Sequence, residues 1–257
     1  WLVRAYVNPY EVIKDISPSD LKGAKVTFIN MPIREQAKPN NAPLGPALLS
    51  GRLLDFGADV NIVDLNAYRI VDEESERRGL PNGRVLTLPE AEELLSRTFD
   101  HHGDQDLIGL SGLITTLQWQ EAVAKLIREL QPGALLVSGG GLASEFRETL
   151  FRWIPELDAV SHSEGDDVVV KMAYDAKLIR EKGLEHAIHS GKLKPYFVEI
   201  SGGRPRLFYD GGRPPDLDRL PLPAWHLLHE HINHFRVLDM YLANPIWGSN
   251  AKNSSAA

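Results

Sequence analysis

The sequence predicts an α/β fold in which helices cover both faces of one parallel, doubly wound sheet of five strands. The clearest evidence is the stretch 106–141, where an apolar strand (107–110), an amphipathic helix and a second apolar strand (134–137) follow one another. Both strands end in serine and glycine residues, as strands that open onto a ligand crevice do. The composition, 43% hydrophobic and 25% charged over 257 residues, is ordinary for a globular domain with a sizeable core.

The first half of the chain supplies the first two strands. Residues 25–30 form a short run rich in β-forming residues, and residues 59–65 form a second one. The loop 31–43 between them contains proline and asparagine, and loops of this length in compact domains are usually functional or disordered. Residues 44–56 follow it with helical periodicity, which ends at Gly57 as a C-cap.

The remaining elements complete the alternation of strands and helices. The polar stretch 66–88 carries a charge cluster at 72–78 and is expected on the surface. Proline at the first position and acidic residues in the first turn predict a helix over 89–99. A helix, a short fifth strand and a closing helix follow the 106–141 unit, at 145–153, 157–160 and 167–175. Right-handed crossovers between parallel strands then leave a flavodoxin- or Rossmann-like sheet as the expected topology.

The same pattern divides the chain into three predicted segments. Residues 1–22 are a lead-in with a short helix near 9–16, residues 23–176 are the sheet-forming domain, and residues 177–257 are an extension. The extension is expected to hold a helix, a hairpin and a proline-rich linker to another domain, at 176–190, 196–209 and 211–228. The sequence starts at Trp1 and stops without a closing element, so we expect a fragment of a longer protein.

Charge and composition narrow the classes of function. The formal net charge is −7 and no basic stripe is present, which argues against a nucleic-acid partner. The sequence has no cysteine, so disulfides and cysteine-ligated zinc or iron–sulfur sites within these residues are excluded. It also has no apolar run approaching 18 residues and no signal peptide, from which we expect a soluble, cytoplasmic protein without a membrane partner.

The glycines after the third and fourth strands allow two interpretations. Ser111-Gly112-Leu113 follows the third strand, and Ser138-Gly139-Gly140-Gly141 follows the fourth. Glycines at such positions commonly allow a helix and a strand to approach closely. Three glycines in succession remove more bulk than the start of a helix requires, so they would also let a flat or elongated ligand lie on the backbone.

At these residues the sequence resembles the cobalamin-binding (B12) domain. That family carries D-x-H-x-x-G after strand one, S-x-L after strand three and G-G after strand four; Ser111-x-Leu113 matches the second motif and Gly139-Gly140 the third. Glu164-Gly165-Asp166 is similar to the family's turn before the last helix, and Pro43-Leu44-Gly45 to its P-P-L-G segment. The resemblance implies that the serine contacts the dimethylbenzimidazole tail of cobalamin and that the glycines line the slot for that tail.

The resemblance and the position at the strand ends together give a set of candidate cofactor-binding residues. They are Pro43, Leu44, Gly45, Ser111, Gly112, Leu113, Ile114, Thr115, Thr116, Ser138, Gly139, Gly140, Gly141, Glu164, Gly165 and Asp166. For Thr115 and Thr116 two roles stay open, because their hydroxyls would either bond corrin amides or cap the helix that begins at Leu117. We assign no catalytic residue and no metal ligand from the sequence.

The first family motif is absent, since Asn30-Met31-Pro32 stands where the histidine would follow strand one. A B12 domain without this histidine resembles the N-terminal part of cobalamin-dependent radical S-adenosylmethionine (SAM) enzymes, and the connector Asp216 to Trp225 also fits that family. The resemblance covers roughly residues 24–228. It implies base-off cobalamin with no histidine on cobalt, and a methyltransferase whose 4Fe–4S cluster and SAM belong to a domain missing from this sequence. This segment alone is then expected to bind and not to catalyse.

Two other functions remain open from the residues. One is a flavodoxin-like module for FMN or another nucleotide, although the loop after the first strand lacks the Gly/Ser/Thr-rich character that phosphate binding favours. The other is a regulatory or interaction domain that binds no chromophore.

Overall fold

The computed structural model describes residues 13–33, 35, 38–195, 197–201, 204–211, 216, 218, 220–228 and 237–243. These residues form a seven-stranded sheet in the order β2-β1-β3-β4-β5-β7-β6. Neighbouring strands run parallel except β6, which is antiparallel to β7. The strands are β1 Lys25–Asn30, β2 Asp59–Asp64, β3 Leu107–Ser111, β4 Leu135–Gly139, β5 Ala159–His162, β6 Phe197–Ser201 and β7 Arg204–Asp210. The predicted doubly wound α/β fold is confirmed.

Helices pack on both faces of the sheet. They are α1 Pro18–Leu21, α2 Leu44–Asp55, α3 Glu73–Arg77, α4 Leu88–His102, α5 Leu117–Leu130, α6 Gly140–Phe146, α7 Leu150–Trp153, α8 Val168–Lys182, α9 Leu184–His189 and α10 Val237–Ala243. Short 3-10 helices lie at Ile114–Thr116, Arg147–Thr149 and Trp225–Leu228. None of the helices described here has the length and apolar character needed to cross a membrane.

Local sequence explains how the central helices form. The α4 helix begins at a reciprocal capping box, in which the backbone N–H of Thr87 donates to Glu90 at 2.7 Å, and Pro89 lies in the first turn. The α5 helix buries one side, including Val123, Ala124 and Ile127, against the sheet.

Two apolar clusters show which helices cover each face of the sheet. One face is covered by α4, α5, α6 and α7, and the other by α1, α2 and α8.

The sheet has two strands more than predicted, because the C-terminal hairpin joins it. The strand β7 pairs in parallel with β5, with Ala159 opposite Leu207 and Val160 opposite Phe208. The guanidinium group of Arg206 anchors this pairing, since it donates to the backbone oxygens of Leu157 and Pro155. The sequence identified the hairpin as an extension because nothing local indicates which edge it pairs with.

Two helix boundaries also differ from the predicted ones. The helix predicted over 145–153 is two helices, and the chain changes direction at Arg147, whose φ is +45°. The helices predicted over 167–175 and 176–190 are instead divided at Gly183, whose φ of +83° ends α8. A continuous helix therefore crosses the boundary between residues 176 and 177, and the three-segment division stays a prediction. The first half of the helix predicted near 9–16 lies outside the described residues.

The described part of the predicted linker packs against the sheet domain. The backbone N–H of Ala224 donates to the backbone oxygen of Ala47 in α2 at 2.9 Å. The chain also passes so close to Gly51 that a Cβ there would lie 2.5 Å from the oxygen of Leu222. Further on, Leu228 and Tyr241 belong to a small apolar cluster over α2 and β2. The C-terminal segment therefore covers the β2 side of the carboxyl edge of the sheet, the edge at which the parallel strands end.

Candidate functional site

A narrow cavity opens at the carboxyl edge of the sheet, above strands β3, β4 and β5. Its volume is about 250 Å³, and its walls are the start of α2, the loop before α8 and Met172 of α8. We call this cavity the slot. It lies on the face of the sheet covered by α2 and α8, and its position is the one at which open α/β sheets bind ligands.

The slot has an outer level and an inner level, which follow from strand register. In the outer level Ser111 of β3 is paired with Gly139 of β4, and Ser161 of β5 also lines the cavity. One pleat further inside, Gly109 is paired with Val137, and Leu107 lies below them. Because side chains on one face of a strand alternate, these residues form the floor of one groove.

Gly139 keeps the slot open. Its backbone is extended, with φ −132° and ψ −174°, so any residue type could adopt this conformation. A Cβ at Gly139 would have no atom within 4 Å, which means that a side chain here would extend into free space. Close packing therefore does not explain this glycine, and the interpretation that its missing side chain leaves room for a ligand is favoured.

Close packing does explain two of the neighbouring glycines. A Cβ at Gly112 would lie 2.1 Å from the Oγ1 of Thr116, so only glycine fits there. Gly140 has φ +77° and approaches the loop after β3, where the backbone N–H of Leu142 donates to the oxygen of Gly112 at 3.4 Å. Close packing therefore explains Gly112 and Gly140, whereas room for a ligand explains Gly139.

Two of the candidate residues point away from the slot. Thr116 is fully buried, and its hydroxyl both donates to the oxygen of Leu113 (2.8 Å) and accepts from the N–H of Leu113 (3.1 Å). It closes the turn before α5 through Leu113 and makes no side-chain hydrogen bond that caps α5. Ser138 is also fully buried and donates to the Oε1 of Gln120 on α5, on the opposite face of the sheet.

The loop after β3 presents apolar side chains to solvent above the sheet edge. Leu113 is 48% exposed and Ile114 is 52% exposed, and Thr115 next to them is exposed as well. Gly141 lies beside this loop, since its Cβ position is 3.3 Å from Leu113. Exposed aliphatic residues at the mouth of a cavity are typical of a surface that a ligand covers.

The first turn of α2 forms one side of the mouth. Pro43 is buried and precedes the helix, Leu44 is 50% exposed, and Gly45 lines the slot with no atom within 4 Å of its Cβ position. The sequence similarity at these three residues therefore corresponds to one wall of the cavity.

The turn before α8 forms the other side of the mouth, where Glu164, Gly165 and Asp166 all line the slot. Gly165 lies against Leu49 of α2, with its Cβ position 3.0 Å from Cδ2, so the two walls meet there. Partial burial raises the pKa of Asp166. Ser163, just before the turn, has φ +66°, a conformation that non-glycine residues rarely adopt.

A second set of polar residues, which no sequence motif indicates, lies at the ends of β1 and β2. The buried carboxylate of Asp64 accepts from the Nδ2 of Asn30 at 2.8 Å, from the N–H of Asn66 at 3.1 Å and from the hydroxyl of Tyr241 at 2.5 Å. Burial raises the pKa of Asp64 in spite of these donors. This network connects α10 to the sheet edge.

The residues at the end of β1 are fixed in place. Asn30 is held by Asp64, and Met31 is fully buried with its N–H donating to the oxygen of Ser111 at 3.3 Å. His162 ends β5 on the far side of the slot, with its Nδ1 3.0 Å from the hydroxyl of Ser163.

Comparisons with known proteins find similarity in structure. The chain matches no protein-family profile and no curated protein sequence. It is similar to the radical SAM methyltransferase TsrM from Kitasatospora setae, solved with cobalamin and a 4Fe–4S cluster bound, with 15% identity, a TM-score of 0.51 and coverage of 78% of this chain and 31% of that one. It is also similar to the cobalamin-dependent SAM radical enzyme OxsB with aqua-cobalamin and SAM bound, with 15% identity, a TM-score of 0.53 and coverage of 86% and 26%.

The chain thus spans less than a third of the length of either solved structure. At this level of identity the likeness shows a shared fold.

Proposed function

We propose that this chain binds cobalamin in the base-off form, with the nucleotide tail inserted in the slot. The observation that carries the proposal is Gly139, an extended residue at the end of a central parallel strand whose Cβ would face open space. A side chain of any size at this position would fill the cavity that we assign to the tail.

The dimensions of the slot suit part of a cobalamin molecule. Its volume of about 250 Å³ is below the range of roughly 300–1,000 Å³ that is usual for whole drug-sized ligands, so the slot would hold a bicyclic base and leave the larger ring outside. The corrin ring would then lie over the exposed side chains of Leu44, Leu113 and Ile114. Thr115 is exposed beside them, and its hydroxyl would bond a corrin amide.

The lower face of the corrin would meet no imidazole from the loop after β1. Asn30 is held by Asp64 and Met31 is buried with its N–H bonded to the backbone of Ser111, so this part of the edge is fixed and its polar groups are paired with one another. When bound, cobalamin would supply a cobalt centre able to carry a methyl group. The role of this chain is to hold and orient the ring.

We further propose that this chain is the cobalamin-binding part of a B12-dependent radical SAM methyltransferase. The fold shared with TsrM and OxsB, together with the four matching motifs, supports this assignment. The 4Fe–4S cluster and SAM would be bound by a radical SAM domain of the same polypeptide, and residues 23–176 and 177–257 would act as cofactor domain and connecting segment. The segment alone would bind without catalysing.

Cofactor retention tests the proposal. Purified protein is mixed with hydroxocobalamin or with FMN, desalted, and examined by visible spectroscopy. We expect a retained cobalamin spectrum of the base-off form and no retained flavin. Retention of yellow FMN alone would favour the flavodoxin-like alternative, and colourless protein in both cases would contradict cofactor binding.

A further inference from the structure

The polarity of the slot changes sharply between its two levels. The outer level carries the hydroxyls of Ser111 and Ser161 and, at the mouth, the carboxyl groups of Glu164 and Asp166. The inner level is lined by Leu107, Gly109 and Val137 on the floor, with Leu48, Leu49 and Met172 on the walls. Among the residues that the structure describes, no hydroxyl, amide or charged side chain lines this inner level.

The backbone of the floor is hydrogen-bonded within the sheet. Gly109 lies in the ladders of β3 with β1 and β4, and Val137 lies in the ladders of β4 with β3 and β5. A ligand group that enters this far would therefore lose its water and find no replacement partner. Burying a polar group in this way is costly, whereas burying an apolar one is favourable.

The inner level also has a defined width. Gly109 has no side chain, and the ring of Phe28 occupies the space beside it, because a Cβ at Gly109 would lie 2.7 Å from that ring. Met172 forms the opposite side from α8 and is 5% exposed. The side chain that lines the slot from α8 is therefore an apolar thioether.

From this arrangement we propose that the slot selects among corrinoids by the base of their nucleotide tail, and that Met172 is a specificity-determining residue. This inference rests on the proposed function. The slot takes a benzimidazole base, whose outer edge carries only carbon and hydrogen. It discriminates against an adenine base, whose amino group and additional ring nitrogens would be buried without partners.

Competitive binding of three corrinoids tests this selectivity. Cobalamin, its adenine-containing analogue pseudocobalamin, and cobinamide, which lacks the nucleotide, are titrated against the protein. We expect pseudocobalamin to bind about 10- to 100-fold more weakly than cobalamin, since unpaired buried polar groups produce discrimination of this order. Cobinamide is expected to bind more weakly than cobalamin as well, because it leaves the slot empty.

Two substitutions of Met172 test whether this residue causes the preference for cobalamin over pseudocobalamin. Met172→Gln has nearly the same length and places an amide next to the base, and a glutamine amide can pair with the amino group and a ring nitrogen of adenine. It should reduce the preference for cobalamin over pseudocobalamin at least threefold. The matched control Met172→Leu keeps the wall apolar and should retain the preference, with thermal unfolding used to confirm that both variants are folded.

The outcomes separate this inference from the proposed function. Equal affinity for cobalamin and pseudocobalamin would overturn the inference while insertion of the tail in the slot stands. Equal affinity for cobalamin and cobinamide would contradict insertion of the tail as well, because a molecule without a nucleotide leaves the slot empty. An unchanged preference in folded Met172→Gln would overturn the role of Met172. Failure to bind any corrinoid would contradict the proposed function and the inference with it.

Discussion

The carboxyl edge of the sheet has two halves that are built in opposite ways. At the ends of β1 and β2, large polar side chains reach across the edge and bond to one another around Asp64. At the ends of β3, β4 and β5, the corresponding positions carry serine and glycine, and a cavity of about 250 Å³ remains. Each half has a buried aspartate–tyrosine pair nearby, but Asp64–Tyr241 closes the edge itself, whereas Asp175–Tyr209 lies behind the slot wall, three residues after Met172.

The difference shows that position at the carboxyl edge does not by itself make a ligand site. All the parallel strands end there, yet the closed half has its polar groups paired with each other and leaves no space. The open half lacks side chains at Gly139 and Gly45 that packing would tolerate. The proposed site is therefore distinguished by empty space next to glycines at which packing would tolerate a side chain.

Closing the open half should have the largest effect. In Gly139→Leu a side chain fills the slot without backbone strain, since this residue is extended and its Cβ position is free. We expect cobalamin affinity to fall by at least about 1,000-fold, or ~4 kcal/mol, with little change in thermal stability. Equilibrium titration with hydroxocobalamin measures the loss.

Gly133→Leu is the matched control for this substitution. Gly133 precedes the same strand, is exposed, and also has no atom within 4 Å of its Cβ position. This variant should bind cobalamin as the unmodified chain does. If Gly139→Leu and Gly133→Leu bind equally well, the tail does not occupy the slot.

The buried pair Asp175–Tyr209, which lies behind the slot wall, should make the free energy of unfolding depend on pH. Burial raises the pKa of Asp175 to about 7 from its usual 3.8, although the hydroxyl of Tyr209 and the N–H of Lys194 donate to it. The folded state therefore holds the proton more tightly than the unfolded state does. Stability from this group is complete below pH 3.8 and is lost as the pH rises to about 7, by roughly 4 kcal/mol.

Denaturant unfolding between pH 4 and pH 8 measures this loss, and Asp175→Asn is the comparison. The asparagine variant cannot ionise at this position, so its stability should fall less steeply with pH over the upper part of that range. Burial also raises the pKa of Asp64, which contributes equally in both proteins. Glu90 works in the opposite direction, because Arg84 lowers its pKa to about 2, but its contribution changes below pH 4.5. The same slope in the unmodified chain and in Asp175→Asn would contradict the assignment.

A substitution in the closed half is expected to have the smallest effect on cobalamin affinity. Tyr241→Phe removes the hydroxyl that donates to Asp64, which should lower the free energy of unfolding by about 1–2 kcal/mol. Cobalamin affinity should stay within a factor of about two, because the tail lies two strands away. A loss of cobalamin affinity larger than the loss of stability would mean that both halves form one site.

Much of the fold follows from local sequence. The bounds of β1 and the start of α2 agree with the predicted ones, because a β-rich run and a helical period mark them directly. The position of the hairpin in the sheet was not predictable from local pattern, since the β5–β7 pairing depends on contacts such as Arg206 with Leu157, 49 residues apart. The break at Arg147 was missed for a similar reason, because nothing in its immediate sequence requires φ +45°.

Local sequence also predicted only part of the candidate site. The strand ends and their small residues were visible in the sequence, and the structure brings Gly45, Ser111, Gly139 and the turn at 164–166 around one cavity. The sequence did not distinguish Gly139, which leaves space, from Gly112, which packing requires. It also gave no sign of the Asp64–Tyr241 bond, because those residues are 177 positions apart and neither belongs to a recognisable motif.

A crystal structure of this chain with hydroxocobalamin tests the central claim most directly. We predict the dimethylbenzimidazole ring between Gly139 and Val137 on the floor and Leu49 and Met172 on the walls, detached from cobalt, with the corrin over Leu113 and Ile114. A tail that remains coordinated to cobalt, or a slot that stays empty while cobalamin binds elsewhere on the molecule, would contradict the account.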